Sequence, residues 1–300
     1  MMPQFSRLRN KIPDYRNLSA GMFLLTTGLF KKVAIADSLS TIVTAVFDVS
    51  TSLSFIEAWT AALSYTFQIY FDFSGYMDMS MGSVLMLNIR LPINFNSPYK
   101  SLSIRDFWRR WHITLSRFLR DHLYIPLGGS RRAGHIVFLN IMVTFLLGGL
   151  WHGAGWTFIF WGFLHGMAIT INRLWSATGI RLNRYLCWFL TFNFVNITWV
   201  FFRAKQWPNA IKVLKGMFDM NSFALPDLQW DKILTFNANI EFWQLAALAI
   251  LIIFTATCNN SNEVGESFRP DLNFAAISVF FGLYSMFSLD QVSEFLYFNF

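Results

Sequence analysis

Long apolar runs with few charges constrain the fold of this chain more than any other feature of its sequence. Only 14% of the 300 residues are charged and 54% are hydrophobic, whereas roughly a quarter of the residues in soluble proteins are charged. Six runs approach the roughly 20 apolar residues that a helix needs to cross a bilayer, namely 53–73, 135–151, 155–171, 186–202, 242–257 and 272–289. They do not alternate as barrel strands would. We therefore predict an all-α, polytopic membrane protein.

Two flanking segments are less regular. Residues 18–47 favour helix but are interrupted by Lys31, Lys32 and Asp37, which predicts a broken or interfacial helix with the lysines at headgroup level. Residues 76–91 are rich in methionine, and we predict a separate helix there that Pro92 stops.

Residues 104–124 form an amphipathic pattern when they are placed on one helix. Apolar side chains such as Trp108 and Trp111 fall on one side, and arginines fall on the other. The surrounding stretch 100–132 carries eight lysines and arginines against two aspartates, which predicts the cytoplasmic side of the membrane. Two interpretations stay open, namely anchoring to lipid headgroups and a platform for an anionic substrate.

His152 lies between two apolar runs, in the stretch GGLWHGAGW at 148–156. Ionisable side chains in membrane-spanning segments are rare and are functional candidates. Four glycines in this stretch remove side-chain bulk and allow close packing of backbones. The pattern indicates either a site for a thin substrate or a buried histidine that donates to a carbonyl of a neighbouring helix.

The remaining chemistry of the sequence centres on histidine. There is no phosphate-binding loop, no zinc motif and no paired CxxC, and the two cysteines, Cys187 and Cys258, lie far apart in apolar segments. His112, His152 and His165 lie in or beside apolar segments. A histidine can take a proton from a hydroxyl that then attacks a thioester. This set suits acyl transfer, and it suits a proton-coupled transporter equally well.

Two long stretches carry a family resemblance. The first runs from FDFSGYMDMS through RDFWRRWHITLSRFLRDHLYIPLGGSRR, and the second is LLGGLWHGAGWTFIFWGFLHG. They resemble the membrane-bound O-acyltransferases, in the bacterial branch that acetylates alginate and other exported polysaccharides. MPQF, GLFKKVAIAD and the ending SEFLYFNF are similar to that branch as well. The resemblance implies a ring of tilted helices around a funnel or tunnel, with interfacial amphipathic helices.

The resemblance also assigns roles. His152 matches the family's catalytic histidine, which makes it the general base, and His112 matches a second motif histidine that orients groups or stabilises the oxyanion. On the donor side, at the cytoplasmic entrance, we expect Arg109, Arg110 and Arg117. In a supporting role we expect His165, Trp151 and Asp72.

The implied reaction transfers an acetyl group to an alginate-like exported polysaccharide. The donor is acetyl-CoA or an acyl-carrier thioester on the cytoplasmic side, with no bound cofactor and no metal. Expected partners are membrane lipids, a periplasmic acetyltransferase and the polysaccharide, in the bacterial inner membrane. The net charge of +7 suits cytoplasmic loops and headgroups better than nucleic acid. The alternative is a transporter or scaffold that passes acyl groups or polymer without bond chemistry, although its expected inverted repeats are absent from the sequence.

Domain organisation follows from the same resemblance. We expect residues 1–300 to be the C-terminal portion of a single membrane domain, because members of this branch carry further helices before the MPQF loop. We expect those upstream helices to be needed for activity, since a gap in the ring would expose polar groups to lipid.

Overall fold

The computed structural model describes residues 2–6, 10, 12–223 and 242–289, and it is built from helices, with no strand in those ranges. The all-α prediction is confirmed. The α-helices, in chain order, are α1 Tyr15–Phe30, α2 Ser38–Thr44, α3 Phe55–Leu85, α4 Ile104–Arg110, α5 Ile113–Leu119, α6 Gly134–His152, α7 Trp156–Thr178, α8 Arg184–Arg203, α9 Trp207–Phe218, α10 Phe242–Thr257, α11 Ser261–Glu266 and α12 Leu272–Phe287.

Among the described residues, three helical runs are long and apolar enough to cross a membrane, namely Tyr15–Val49, Gly134–His152 and Arg184–Arg203. Two shorter apolar helices, Phe242–Thr257 and Leu272–Phe287, follow. The predicted runs 135–151 and 186–202 differ from the observed helices by one or two residues at each end. The predicted aromatic ending, 290–300, lies outside the described residues.

The prediction of a broken helix near residues 18–47 is wrong. α1 continues through a π-helical segment, Lys31–Asp37, into α2 and a second π-helical segment, Ala45–Val49. Lys32 is only 2% exposed, and its Nζ lies 2.8 Å from Asp37 and 2.7 Å from Asp72. Because the buried carboxylates neutralise the charge of Lys32, this lysine does not need the headgroup-level position that we predicted for it.

The division of residues 53–91 into two helices is also wrong. α3 runs unbroken through Gly75, where the prediction ended one helix and began another. The glycine has a packing role instead, because a Cβ built on it would lie 2.7 Å from the carbonyl oxygen of Gly28 on α1. Gly21 meets Gly82 in the same way, because a Cβ on Gly21 would lie 2.6 Å from the carbonyl oxygen of Gly82. The two glycine pairs let the backbones of α1 and α3 touch.

The single amphipathic helix predicted at 104–124 is divided in two. α4 ends at Arg110, α5 begins at Ile113, and a π-helical segment, Arg120–Tyr124, follows. The break falls at His112, which has φ +42° and ψ +56°. Left-handed backbone is uncommon for a residue with a Cβ and is often found at functional sites.

The described residues fall into two compact units. The first draws on the ranges Met1–Ser40, Phe67–Asn96 and Cys258–Phe300, and it holds the glycine contacts of α1 with α3. Aromatic rings of α1 and α12 also pack in this unit, with Phe30 stacked on Phe281 at 4.2 Å.

The second unit comprises Thr41–Thr66 and Ser97–Thr257 and contains α6, α7 and α8. α6 and α7 pack closely at Gly149 and Gly162, because a Cβ on either would collide with a backbone carbonyl oxygen of the other helix. Elsewhere in the unit, Arg203 at the end of α8 binds both carboxylate oxygens of Asp48. The close crossing of α6 and α7 positions the side chains described next.

Candidate active site

His152 is the last residue of α6 and is 6% exposed. Aromatic rings surround it edge to face, with centroid distances of 5.5 Å to Trp161 of α7 and 5.0 Å to Phe202 of α8. The imidazole lies at the C-terminal end of the apolar helix α6, and Gly149, one turn earlier, allows α7 to approach. Three helices thus enclose the residue that the sequence singled out.

His112 occupies the break between α4 and α5 and is 9% exposed. Burial, together with the charge of a protonated His152, lowers its pKa to about 3. The two histidines therefore lie within electrostatic range of each other. His112 is outside the membrane-spanning helices and is neutral at physiological pH, so that one of its ring nitrogens donates and the other accepts.

His165 is fully buried on α7, and both of its ring nitrogens have partners. The indole Nε1 of Trp108 donates to Nδ1 at 3.1 Å, and Nε2 lies 3.1 Å from Oγ1 of Thr198. Because the Thr198 hydroxyl donates to the carbonyl of Val195 at 2.9 Å, Nε2 must carry the proton. The hydrogen bonds hold one neutral tautomer, which leaves His165 no nitrogen for proton transfer.

The three predicted arginines lie on or beside the broken segment. Arg109 and Arg117 are exposed, and Arg110 is half-buried with its Nε 3.0 Å from Asp106. Of the predicted supporting residues, Trp151 is 60% exposed with its ring 5.0 Å from that of His152. Asp72 belongs to the first unit, where it pairs with Lys32.

Three residues of this site were not assigned a site role from the sequence, namely Trp108, Thr198 and Trp161. Trp161 lies 4.8 Å from His165 and contacts His152 as well. Its spacing of four residues from His165 on one helix was the available signal, since residues i and i+4 share a face. The position of Thr198 on α8 carries no comparable signal.

The arrangement suits acid–base chemistry in a dry environment. Neutral imidazoles stand among aromatic rings, where a hydrogen bond is electrostatically stronger than in water. Within the described ranges, no group of three His, Cys, Asp or Glu side chains is placed to hold a metal ion. A histidine in this setting can move a proton at a hydroxyl.

Several proteins of known family resemble this chain. The chain is similar to the peptidoglycan O-acetyltransferase of Helicobacter pylori, with 47% identity over 100% of this chain and 60% of the relative. It is 43% identical to the probable alginate O-acetylase AlgI of Pseudomonas aeruginosa, over 85% of this chain and 47% of the relative. It is 30% identical to the teichoic acid D-alanyltransferase of Streptococcus thermophilus, over 40% of this chain and 31% of the relative.

The chain thus spans about half the length of the curated relatives that it matches. The membrane-bound O-acyltransferase family matches residues 1–205, a range that includes α1 to α8 and all three histidines discussed above. The chain therefore belongs to the membrane-bound O-acyltransferase family.

Proposed function

We propose that this protein transfers an acetyl group from a cytoplasmic thioester to a hydroxyl of an exported polysaccharide, with His152 as general base. One observation carries the proposal: His152 is buried at the meeting of α6, α7 and α8, within electrostatic range of His112. Two relatives, covering 85% or more of this chain, are named as O-acetylating enzymes, which supports the reaction class.

The reaction proceeds through a tetrahedral intermediate. Neutral His152 takes the proton of the acceptor hydroxyl, and the oxygen attacks the thioester carbonyl carbon while the carbonyl electron pair moves to oxygen. When the carbonyl re-forms, the carbon–sulfur bond breaks and the thiolate leaves. The imidazolium of His152 returns the proton to sulfur, which gives a thiol and an acetyl ester. We assign the orientation of the acyl group, and part of the charge stabilisation, to His112.

The donor approaches from the side that bears α4 and α5. Exposed Arg109 and Arg117 offer positive charge to the phosphates of acetyl-CoA or of a carrier-protein prosthetic group. Arg110 is steadied by Asp106. In this proposal the arginines lie on the cytoplasmic face of a multi-pass inner-membrane protein, and the glycan and any periplasmic acetyltransferase lie on the opposite face.

The acceptor belongs to one class, a polysaccharide with accessible hydroxyls. The names of the relatives point to peptidoglycan and to alginate as the two candidates. Both are exported glycans, so the same acetyl transfer at the membrane suits either of them. Ester content of each glycan, measured in the same strain, separates them.

The test replaces His152 with alanine at the native locus, so that the whole protein is assayed. We expect the acetyl ester content of the exported glycan, divided by inserted protein, to fall about 10²–10⁴-fold, the usual contribution of a general base. His135→Ala is the matched control because His135 is an exposed histidine near the start of the same helix, and it is expected to change nothing. Release of free thiol from acetyl-CoA by isolated membranes is expected to fall in His152→Ala and to stay unchanged in His135→Ala. Normal acetylation by His152→Ala would refute the proposed base and favour the transporter hypothesis.

The orientation has its own test. A cysteine at Arg117, in a background with Cys187 and Cys258 changed to serine, is expected to react with an impermeant thiol reagent only in inverted or lysed vesicles. Labelling in cells whose outer membrane alone is permeabilised would reverse the orientation.

A further inference from the structure

The indole N–H groups of this protein differ in how they are paired. Four tryptophans donate to an acceptor within 3.1 Å: Trp59 to Met217, Trp108 to His165, Trp175 to Ile180 and Trp188 to Tyr99. Trp161 and Trp199, by contrast, have no acceptor for Nε1 among the described residues. They are 2% and 1% exposed. A buried donor without an acceptor has lost water without compensation, and such groups often have a functional explanation.

Both unpaired indoles lie in the aromatic cluster around the histidines, but only one of them contacts His152. The ring of Trp161 is perpendicular to that of His152, with the centroids 5.5 Å apart. Trp199 stacks on Trp161 at 5.8 Å and contacts His165 and Phe202. Its ring contacts in the described part of the chain do not include His152. The two residues thus share burial and an unpaired donor but differ in proximity to the proposed base.

We propose that Nε1–H of Trp161 donates a hydrogen bond to the carbonyl oxygen of the acetyl thioester as negative charge develops on that oxygen. The inference rests on the proposed function and adds a catalytic residue to it. The acceptor oxygen forms its bond to the carbonyl carbon, and the carbonyl electron pair moves onto the oxygen that Trp161 binds. That pair returns when the carbon–sulfur bond breaks.

An indole suits this task for two reasons. It has a donor and no acceptor, so it stabilises the oxyanion without competing with His152 for the proton. The acceptor for this N–H group is the substrate itself, so the donor is unoccupied before the substrate binds. It is already in position, and no dipole has to reorient during the reaction. Trp108 and Trp188, by comparison, satisfy their N–H groups within the protein, and Trp199, which shares the unpaired donor, lacks the ring contact with His152 within the described ranges.

The decisive substitution is Trp161→Phe, which keeps an aromatic ring and removes the donor. We expect kcat to fall about 10²-fold, the usual effect of losing one oxyanion donor, with little change in the KM for acetyl-CoA. Trp199→Phe removes the same atoms from an equally buried site and is expected to retain kcat within a few fold. Both proteins are produced from the native locus and assayed per inserted molecule.

A spectroscopic measurement separates a hydrogen bond from a packing role. The probe is the ketone analogue acetonyl-CoA, labelled with ¹³C at its carbonyl, and the readout is the infrared carbonyl stretch of the bound probe. We expect the stretch to lie at lower frequency in the wild type and in Trp199→Phe, and to return towards its unbonded value in Trp161→Phe. If Trp161→Phe does not insert, benzothienylalanine at position 161 replaces the N–H with sulfur and keeps the shape of the ring.

The possible results distinguish a failure of the Trp161 donor role from a failure of the proposed function. If His152→Ala abolishes transfer while Trp161→Phe, or the sulfur isostere, keeps normal kcat and an unchanged carbonyl stretch, the donor role of Trp161 is refuted and the proposed function stands. Equal losses of kcat in Trp161→Phe and Trp199→Phe also refute it, because packing alone would then account for both. If the His152→Ala protein transfers acetyl normally, the proposed function fails before Trp161 is considered.

Discussion

Replacing Thr198 with valine tests the hydrogen-bond chain through His165. The substitution keeps the shape of the side chain and removes one hydroxyl from a position that is 1% exposed. His165 then has no satisfactory tautomer. A proton on Nε2 faces a methyl group, and a proton on Nδ1 opposes the indole N–H that Trp108 donates at 3.1 Å. Either way a buried polar group is orphaned, which costs about 1–3 kcal/mol.

The assay is thermal unfolding of the purified protein in detergent. At about 2 °C per kcal/mol, the expected decrease in Tm is about 2–6 °C. Thr255→Val is the matched control: Thr255 is 8% exposed, and its hydroxyl bonds only carbonyls of its own helix, so no donor is orphaned. Thr198→Ser keeps the hydroxyl and should recover most of the loss. Equal Tm values for Thr198→Val and Thr255→Val would refute the tautomer argument.

Further predictions concern charge, packing and pH. Asp72→Asn removes one of the two carboxylates that bind buried Lys32, and because Asp37 still neutralises the lysine, it should destabilise the protein by only about 1–3 kcal/mol in detergent melts. Asp121→Asn, at an exposed pair, should leave the Tm unchanged. Gly162→Ala should separate α6 from α7 at a cost of about 1–3 kcal/mol, whereas the same change at Gly134, where an added Cβ meets open space, should not. Burial and the charge of His152 lower the pKa of His112 from 6.5 to about 3. The unfolded chain therefore takes up the proton first, and stability is lost as the pH falls below 6.5. Between pH 7 and pH 5 this amounts to about 2 kcal/mol, and His112→Gln should show a correspondingly smaller loss of stability over that interval.

The limits of prediction from sequence follow from particular residues. The apolar runs located α6 and α8 to within two residues because helix length in a membrane is set by bilayer thickness. His152 could be selected as a candidate because an ionisable group is costly in such a run. The burial of Lys32 could not be predicted, since the carboxylate of Asp72 lies 40 positions away in sequence and joins it only through tertiary packing.

The break at His112 was hidden for a different reason. No glycine or proline marks it, and its left-handed φ depends on what α4 and α5 pack against. The unpaired donor of Trp161 was equally hidden, because pairing of an indole is a property of its neighbours in space. An aromatic residue in an apolar helix therefore looks like ordinary packing until those neighbours are known.

The buried lysines also bear on the order in which the chain enters the bilayer during synthesis. Adjacent Lys31 and Lys32 near the middle of Tyr15–Val49 would together cost about 5–7 kcal/mol in lipid at the translocon's usual rate per charge. Their partners Asp78 and Asp72, at 2.6 Å and 2.7 Å, are on α3. At about 5–20 residues per second, α3 leaves the ribosome several seconds after the lysines. This helix must therefore wait at the interface or beside the insertion machinery until α3 arrives, and the two then enter the hydrocarbon as a neutralised pair.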